Sequence, residues 1–323
     1  MINLTEQSVV LKNQQNQSAL SPFVLSQDLF NRWVSFIEAK PRTVEEYGKA
    51  LRYFRNWITA NNIRNPKRED VIKYRNELQK THKPTTVKGY ITAIKLFFQW
   101  TADEGLYPNI ADHVKTGKLT SGFKRDYLTS QQISKMLRTV DTRDLKGLRD
   151  YAILALMVTS GLRTVEVVRA SIEDLRVLGD CTVLYVQGKG RDEKAEFVKV
   201  VSQVEDAIRA YLKARGEKNP KAPLFASTSH NNCGGRMTTR AIRSVGKGAL
   251  LNAGFNSDRM SCHSYRHAAG TLNLLNGGTL EETRQLLRHK SINTTMIYNH
   301  SLERMRNRSE ERIAKAIFEQ VTQ

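Results

Sequence analysis

The chain has 323 residues, of which 40% are hydrophobic, and it carries a formal charge of +19 with a pI near 9.9. This length suits two domains, because single cores usually stop growing before it, and the apolar content excludes wholesale disorder. So positive a field attracts polyanions, of which nucleic acid is the commonest partner. Composition therefore predicts a two-domain globular protein that binds nucleic acid, and leaves open a basic enzyme without that role.

The cysteines and the hydropathy pattern indicate the compartment. Cys181, Cys233 and Cys262 lie far apart, with neither the spacing of a disulfide framework nor that of a zinc site. No apolar stretch approaches the roughly 20 residues of a membrane span. The Gln-, Asn- and Ser-rich N-terminus also lacks the layout of a signal peptide. We therefore expect a soluble, cytoplasmic protein.

The first third of the chain predicts a small helical bundle. Residues 1–22 are polar and are predicted to be a flexible tail. Apolar side chains then recur at helical spacing in four stretches. The first, third and fourth predicted helices cover 26–40, 68–80 and 85–104. The second is predicted to follow an N-cap at Thr43. Pro41 is expected to end the first helix, and Glu46 completes a capping-box pattern with Thr43.

The remainder is predicted to be mostly helical and to contain one β-hairpin. Residues 107–126 are basic and poor in apolar periodicity, which indicates an interdomain linker. Residues 181–187 and 194–200 resemble two strands joined by turn residues. The predicted helices are 129–140, 145–159, 163–175, 202–215, 238–253, 264–276, 279–289 and 301–320.

Four segments carry a recognisable pattern: TSGLRTVEV at 159–167, GKG at 188–190, HSYRH at 263–267 and LLRHKSINTTMIYNH at 286–300. Each is weak alone, but their order and spacing resemble the tyrosine recombinases, the family of phage integrases and Xer-type enzymes. The resemblance covers about residues 23 to 320. It implies a mostly α fold with a small β-hairpin or sheet, in a two-domain tyrosine recombinase architecture.

The resemblance also divides the chain. It implies a four-helix, SAM-like core-binding domain at 23–106 that binds DNA, followed by the linker at 107–126. A mixed α/β catalytic domain would then occupy 127–323 and end in an oligomerisation helix.

Transferred residue by residue, the resemblance implies an active site. Its expected catalytic residues are Arg163, Lys189, His263, Arg266, His289 and Tyr298. Tyr298 would be the nucleophile, and Glu166 would have a supporting role. The chemistry of these residues agrees, because phosphoryl transfer spreads negative charge over oxygens that two fixed guanidiniums can bind. A histidine can exchange protons near neutral pH, and Lys189 at a hairpin tip could protonate a departing 5′ oxygen.

Each residue also has a simpler structural explanation. Arg163 could cap a helix, Arg266 could form a surface salt bridge, and Lys189 could be only a hairpin tip. His263 and Arg266 share a helix face at i and i+3, so the pair could be ordinary surface. Tyr298 could be a core aromatic. Together, these simpler explanations would require six coincidences in the family's order, which favours the active site.

Two positions depart from the family's usual pattern. Arg288 stands where many relatives have Gly, and this extra cation is expected either to contact phosphate or to be merely exposed. Tyr265 stands where many relatives have Leu, which is expected to alter packing rather than chemistry. Neither departure affects the expected nucleophile.

The function implied by the resemblance is site-specific recombination of DNA through a 3′-phosphotyrosyl intermediate and a Holliday junction. The expected partners are double-stranded DNA with an inverted-repeat core site and three further copies of the chain, and a need for accessory directionality proteins stays open. No metal ion or cofactor is expected, and the location would be the bacterial cytoplasm, in association with the nucleoid. Two alternatives remain: an enzyme like a type IB topoisomerase, and a non-catalytic DNA-binding regulator on a recombinase scaffold.

Overall fold

The computed structural model describes residues 25–116, 127–188 and 191–318. The chain divides into two compact units, with the boundary between Ser121 and Gly122. The predicted tail at 1–22, residues 117–126 of the predicted linker, and Lys189 lie outside the described residues.

The first unit contains four helices in its described part: α1 Gln27–Phe36, α2 Pro41–Ala60, α3 Arg68–Thr81 and α4 Pro84–Asp103. The predicted N-cap at Thr43 is wrong, because α2 begins at Pro41 after Lys40. A proline suits the first helical position, since it has no N–H to leave unpaired there and its φ is already helical. Pro84 begins α4 in the same way.

An aromatic core holds these helices together. Trp33 of α1 is fully buried and meets the ring of Phe97 edge-on, with the ring centroids 5.5 Å apart. After α4 the chain stays packed on this core through Tyr107, Ala111 and Val114, which belong to the predicted linker. The Tyr107 hydroxyl donates a hydrogen bond to the Pro66 carbonyl (2.8 Å).

The second unit is also mostly helical. The elements described in it are α5 Ser130–Arg138, α6 Leu145–Ser160, α7 Thr164–Arg169, β1 Leu175–Leu178, β2 Cys181–Val186, β3 Glu196–Lys199, α8 Ser202–Arg215, α9 Thr239–Asn252, α10 Cys262–Leu275, α11 Leu280–Leu287, α12 Ile292–Arg306 and α13 Ser309–Phe318. Helix α6 is central, with Ile153 and Leu156 fully buried, and it packs against α8 and α10. No helix among the described residues is both long and apolar enough to cross a membrane.

The sheet has three antiparallel strands in the order β1-β2-β3 rather than the predicted two. The predicted helix 163–175 is therefore too long: α7 ends at Arg169, and the chain enters β1 at Leu175. Ser171 and Asp174 explain the change of direction, because the Asp174 carboxylate accepts the Ser171 N–H (2.7 Å) and is paired with Lys194. Gly179, with φ of +58°, then allows the two-residue turn between β1 and β2.

The C-terminal region also differs from the prediction of one helix over 301–320. Tyr298 lies inside α12, and α13 is a separate helix. Between them, Asn307 has an extended backbone conformation, and its side-chain oxygen accepts hydrogen bonds from the N–H and the hydroxyl of Ser309 (2.9 and 2.5 Å). An asparagine that satisfies the first N–H groups of a helix favours a new helix start at this point.

Candidate active site

Arg266 is a buried cation at the centre of the second unit. It lies on α10, and its side chain donates hydrogen bonds from Nη1 to the Gly161 carbonyl (2.6 Å) and from Nη2 to the Leu287 carbonyl. The residue is only 2% exposed, which excludes a surface salt bridge. Burial, followed by the nearby Arg163 and Arg288, lowers the pKa of Arg266 to about 9. The guanidinium therefore stays charged at neutral pH.

Gly161 positions this arginine. It ends α6 in the left-handed conformation (φ +59°), which glycine adopts without strain. A Cβ at this position would lie 2.6 Å from Leu287 Cδ2. The absence of a side chain therefore lets α6 end against the Arg266 side chain and the end of α11.

Arg163 comes two residues later and immediately precedes α7. Its Nη1 donates to Glu166 Oε1 (2.8 Å), and its backbone N–H donates to Glu166 Oε2 (2.8 Å). The side chain keeps 31% of its surface exposed. Arg163 therefore caps the start of a helix, as its simpler structural explanation proposed. Its guanidinium nevertheless remains accessible to a ligand.

Glu166 is fully buried between two arginines. Besides Arg163, it pairs with Arg288, whose Nη2 lies 2.9 Å from Oε2. Burial alone would raise the pKa of Glu166, but Arg288 and then the hydrogen bonds from Arg163 hold this pKa below its ordinary value. Glu166 is therefore a carboxylate at neutral pH. The alternative expectation for Arg288, a merely exposed side chain, is wrong, because only 4% of its side chain is accessible.

His289 directly follows Arg288 in the chain and is 8% exposed. Its Nδ1 lies 2.9 Å from the hydroxyl of Thr295, which is itself fully buried. Burial and the charges of Arg266, Arg163 and Arg288 lower the pKa of His289 to about 4. This histidine is therefore neutral at physiological pH, so it can donate or accept a hydrogen bond but brings no charge.

Tyr298 lies on α12 and is only 4% exposed. Its ring is 5.3 Å from that of His267 and 6.3 Å from that of His289, measured between centroids. Burial raises the pKa of Tyr298, and the charges of Arg266 and Arg163 partly oppose this rise. The tyrosine therefore packs as a core aromatic does, beside the cations that a nucleophile would need.

His263 is the second residue of the helix that carries Arg266, and its side chain is exposed. One turn further along, His267 faces it with ring centroids 4.7 Å apart. His267 in turn contacts the Tyr298 ring, so the two histidines connect the surface to the tyrosine. The sequence left His267 unassigned, although its i+4 spacing from His263 already placed both on one helix face.

Lys189 lies outside the described residues, but the base of its hairpin is described. The Gly188 carbonyl accepts a hydrogen bond from Arg169 Nη1 (3.1 Å). Gln187 Nε2 donates to the carbonyls of Arg191 (2.9 Å) and Asp192 (3.0 Å). The turn thus has both of its ends tied to neighbouring groups.

A groove of about 400 Å³ adjoins this cluster. Its charged lining residues are Arg191, Glu196, Arg284, Arg288 and Lys290. Four of these five are basic, so the groove suits a phosphate-bearing ligand. The described residues contain no group of three or more His, Cys, Asp or Glu side chains that could hold a metal ion.

The structure thus brings together Arg163, Glu166, Arg266, His289 and Tyr298, with His263 connected to them through His267. Sequence reasoning missed two further members, Thr295 and the role of Arg288. Thr295 precedes Tyr298 by three residues on one helix face, a spacing that could have identified it. No sequence signal shows that Arg288 contacts Glu166, which lies 122 residues away.

Comparison with known proteins is consistent with this geometry. Residues 126–305 match the model of the phage integrase family, and residues 29–106 match that of the phage integrase N-terminal SAM-like domain. The chain is 30% identical to tyrosine recombinase XerC of Pelobacter propionicus over 82% of this chain and 87% of that protein. It is 26% identical to tyrosine recombinase XerD of Listeria innocua serovar 6a over 80% and 87%.

Two solved structures share the fold. One is the XerH site-specific recombinase bound to palindromic difH substrate in a post-cleavage complex, with a TM-score of 0.68 and 18% identity over 90% of this chain and 84% of that one. The other is a lambda integrase (75–356) dimer bound to a COC′ core site, with a TM-score of 0.66 and 15% identity over 82% and 95%. The mostly helical, two-domain tyrosine recombinase architecture predicted from the sequence is therefore confirmed. The chain belongs to the phage integrase family and is a tyrosine recombinase, a DNA strand-exchange enzyme.

Proposed function

We propose that the chain cleaves and rejoins double-stranded DNA at a specific site through a covalent bond to Tyr298. The observation that carries this proposal is the placement of Arg163, Arg266 and Tyr298 in one site, where the charges of both arginines oppose the rise that burial causes in the pKa of Tyr298. A phenol is a poor nucleophile unless its surroundings favour the phenolate. Cations that favour the phenolate also favour the charge that develops on a phosphate under attack.

In the proposed cleavage step, the oxygen of Tyr298 bonds to the scissile phosphorus as the bond to the 5′ oxygen breaks. The phenolic proton passes to a base, for which His263 is the candidate, and Lys189 supplies a proton to the departing 5′ oxygen. Arg163 and Arg266 hold the non-bridging oxygens. The products are a 3′-phosphotyrosyl link and a free 5′ hydroxyl.

His289 would act as a neutral hydrogen-bonding group in this step. Its low pKa excludes a charged imidazolium at physiological pH. If Nδ1 accepts the proton of the Thr295 hydroxyl, Nε2 carries the ring hydrogen and can donate it to a phosphate oxygen. A donor fixed in this way adds to the stabilisation of the transition state without adding charge.

Strand exchange would follow when the 5′ hydroxyl of a partner duplex attacks the phosphotyrosyl link. Because the link retains the phosphodiester energy, no nucleotide cofactor is required. Two rounds of exchange would pass through a Holliday junction between four copies of the chain. We further propose that residues 23–106 and 127–323 both contact the duplex, joined by the connection at 107–126.

The experiment uses a cognate duplex, selected by binding of the full chain to inverted repeats that flank its gene. A nick beside the cleavage point lets the short product diffuse away, so that a covalent adduct accumulates. We expect an adduct on the 3′ side, with the modified peptide containing Tyr298. Tyr298→Phe should bind the duplex and form none.

Other outcomes would favour the alternatives. Relaxation of a supercoiled plasmid that lacks the selected site would indicate a topoisomerase. Tight binding by the wild-type chain without any adduct would indicate a regulator. An adduct that persists in Tyr298→Phe would refute the assignment of the nucleophile.

A further inference from the structure

Arg288 occupies an unfavourable position on two counts. Its backbone has the left-handed conformation (φ 51°, ψ 49°) at the end of α11, which side chains other than glycine rarely adopt. Its side chain is buried, although arginine is almost never buried unless it is paired. A residue that is strained and desolvated needs a compensating interaction, and the contacts of its guanidinium identify one.

The principal partner of Arg288 is Glu166. Its Nη2 donates to Glu166 Oε2 (2.9 Å), and its Nη1 donates to the Leu286 carbonyl (2.7 Å). Glu166 in turn holds Arg163 by its backbone N–H and its guanidinium. Arg288 therefore reaches Arg163 through one shared carboxylate, where two segments distant in sequence meet.

The charge of this group matters for a phosphate site. A carboxylate paired with one arginine forms a neutral pair, which would weaken the attraction of that arginine for an anion. With two arginines on one carboxylate, the group keeps a net positive charge, and a buried carboxylate bonded from two sides also has a fixed orientation.

We propose that Arg288 is a positioning residue: it fixes and neutralises Glu166 so that Arg163 keeps both its orientation and its charge for the scissile phosphate. The inference rests on the proposed function, and no direct contact of Arg288 with DNA is required.

The ionisation of Glu166 gives a specific signature. The charged groups that act on it are Arg163 at the start of its own helix and Arg288 after α11, while Glu166 itself acts on Arg266 of α10. Glu196 of β3 acts on Arg288. Removal of Arg288 takes away the largest effect that lowers the pKa of Glu166, so this pKa should rise, and a protonated Glu166 would hold Arg163 less firmly. Cleavage by such a variant should therefore weaken as the pH falls.

The wild-type chain must first be shown to form its adduct with the nicked duplex. The test then compares single-turnover cleavage of this duplex by the variants and the wild type at saturating protein. Arg288→Gly suits the left-handed conformation and removes the guanidinium, so we expect a folded protein whose cleavage rate falls by about 10- to 100-fold. Arg288→Lys keeps a charge and should recover part of this loss. The matched control is Arg209→Ala, which removes an exposed arginine paired with Glu205 on α8 and should cleave normally.

The pH dependence distinguishes positioning from packing. The rate of Arg288→Gly, divided by that of the wild type, should fall as the pH is lowered and Glu166 takes up its proton. In the double variant with Glu166→Gln, no carboxyl remains to titrate at this position, so the ratio to wild type should become independent of pH.

The outcomes separate this inference from the proposed function. Failure of the wild-type chain to form the adduct would refute the proposed function. With a wild type that cleaves, a normal rate for Arg288→Gly would overturn the positioning role. So would a slow Arg288→Gly that Arg288→Lys does not improve and whose deficit is independent of pH, since that result would indicate packing alone.

Discussion

The ring of Tyr298 lies nearly parallel to that of His289, with an interplanar angle of 10° and centroids 6.3 Å apart. Both rings are largely buried, and Arg163 and Arg266 act on both. The two residues are nine positions apart and lie on either side of the start of α12. Because burial and these two charges set the pKa of His289, its ionisation reports whether the site is intact.

Acid should weaken the folded state through His289. Its pKa is about 4 in the folded chain and 6.5 by reference, so the unfolded chain binds more protons between these values. The stability that depends on neutral His289 is fully present above pH 6.5 and is lost as the pH falls toward 4, by at most about 3 kcal/mol.

The measurement is calorimetric unfolding of the full chain, compared with His289→Gln between pH 7 and pH 4.5. The advantage of the wild type should shrink across this range. Calorimetry is preferred because all three tryptophans, Trp33, Trp57 and Trp100, lie in the first unit. His230→Gln, at an exposed position, is the control and should show no such change. A constant difference between wild type and His289→Gln would contradict the low pKa.

Loss of Arg163 should affect the reaction more than binding. We expect Arg163→Ala to cleave the nicked duplex about 10² to 10³ times more slowly, because it lacks one fixed donor to the phosphate. Affinity should change little, since many other basic residues share the contacts with DNA. Arg143→Ala removes an arginine whose side chain is 90% exposed and should keep the normal rate. Cleavage by bound Arg163→Ala at the wild-type rate would exclude Arg163 from the site.

Gly161→Ala should destabilise the second unit by roughly 1–3 kcal/mol. The alanine would have to adopt the left-handed backbone conformation of Gly161, and its Cβ would approach Leu287 Cδ2. Gly248→Ala, on α9, is the matched control, because a Cβ there meets nothing within 4 Å. That control should be neutral or more stable by up to about 1 kcal/mol. Equal melting temperatures for the two variants would contradict the close packing at Gly161.

The exposed apolar residues of α13 should matter for assembly and not for folding. Ile313, Ile317 and Phe318 are 58%, 55% and 70% exposed, and no residue described on this helix is buried. Replacing all three by serine should leave the melting temperature unchanged, because little apolar surface is lost from the core. Binding and adduct formation should persist, while synapsis and recombination weaken.

The control for that variant is Lys315→Ser, which lies on the opposite side of the helix from Ile313 and Ile317. Synapsis can be followed by gel filtration of the complex with DNA, and exchange by the recombinant product. Full recombination by the triple variant would show that α13 does not couple the protomers.

The amino-acid sequence was sufficient to predict the architecture and the candidate residues. Apolar periodicity predicted the four helices of the first unit, because a helix that buries one face must repeat its apolar residues every three to four positions. The order of the four motifs identified the family. Arg163, His263, Arg266, His289 and Tyr298 were all named from sequence, because each lies in a motif whose pattern is local.

Local patterns failed where contacts between distant segments decided the outcome. The segment INTTMIY is rich in β-branched residues and gives a weak helical signal, yet it forms the first half of α12, where Tyr298 and Thr295 pack against α10 and His289. Strand β1 was missed because four residues show too little periodicity, and pairing with β2 stabilises it.

The tertiary structure alone decided the electrostatic state of the site. Charge counts could not show that Arg288 is buried against Glu166, nor that Arg266 bonds two carbonyl oxygens from separate segments. Burial and the distances between charges fix whether His289 is neutral, whether Glu166 is ionised and how strongly Tyr298 holds its proton. Those quantities arise when α6, α10, α11 and α12 pack together, because solvation and Coulomb energies depend on position in space and not on position in the chain.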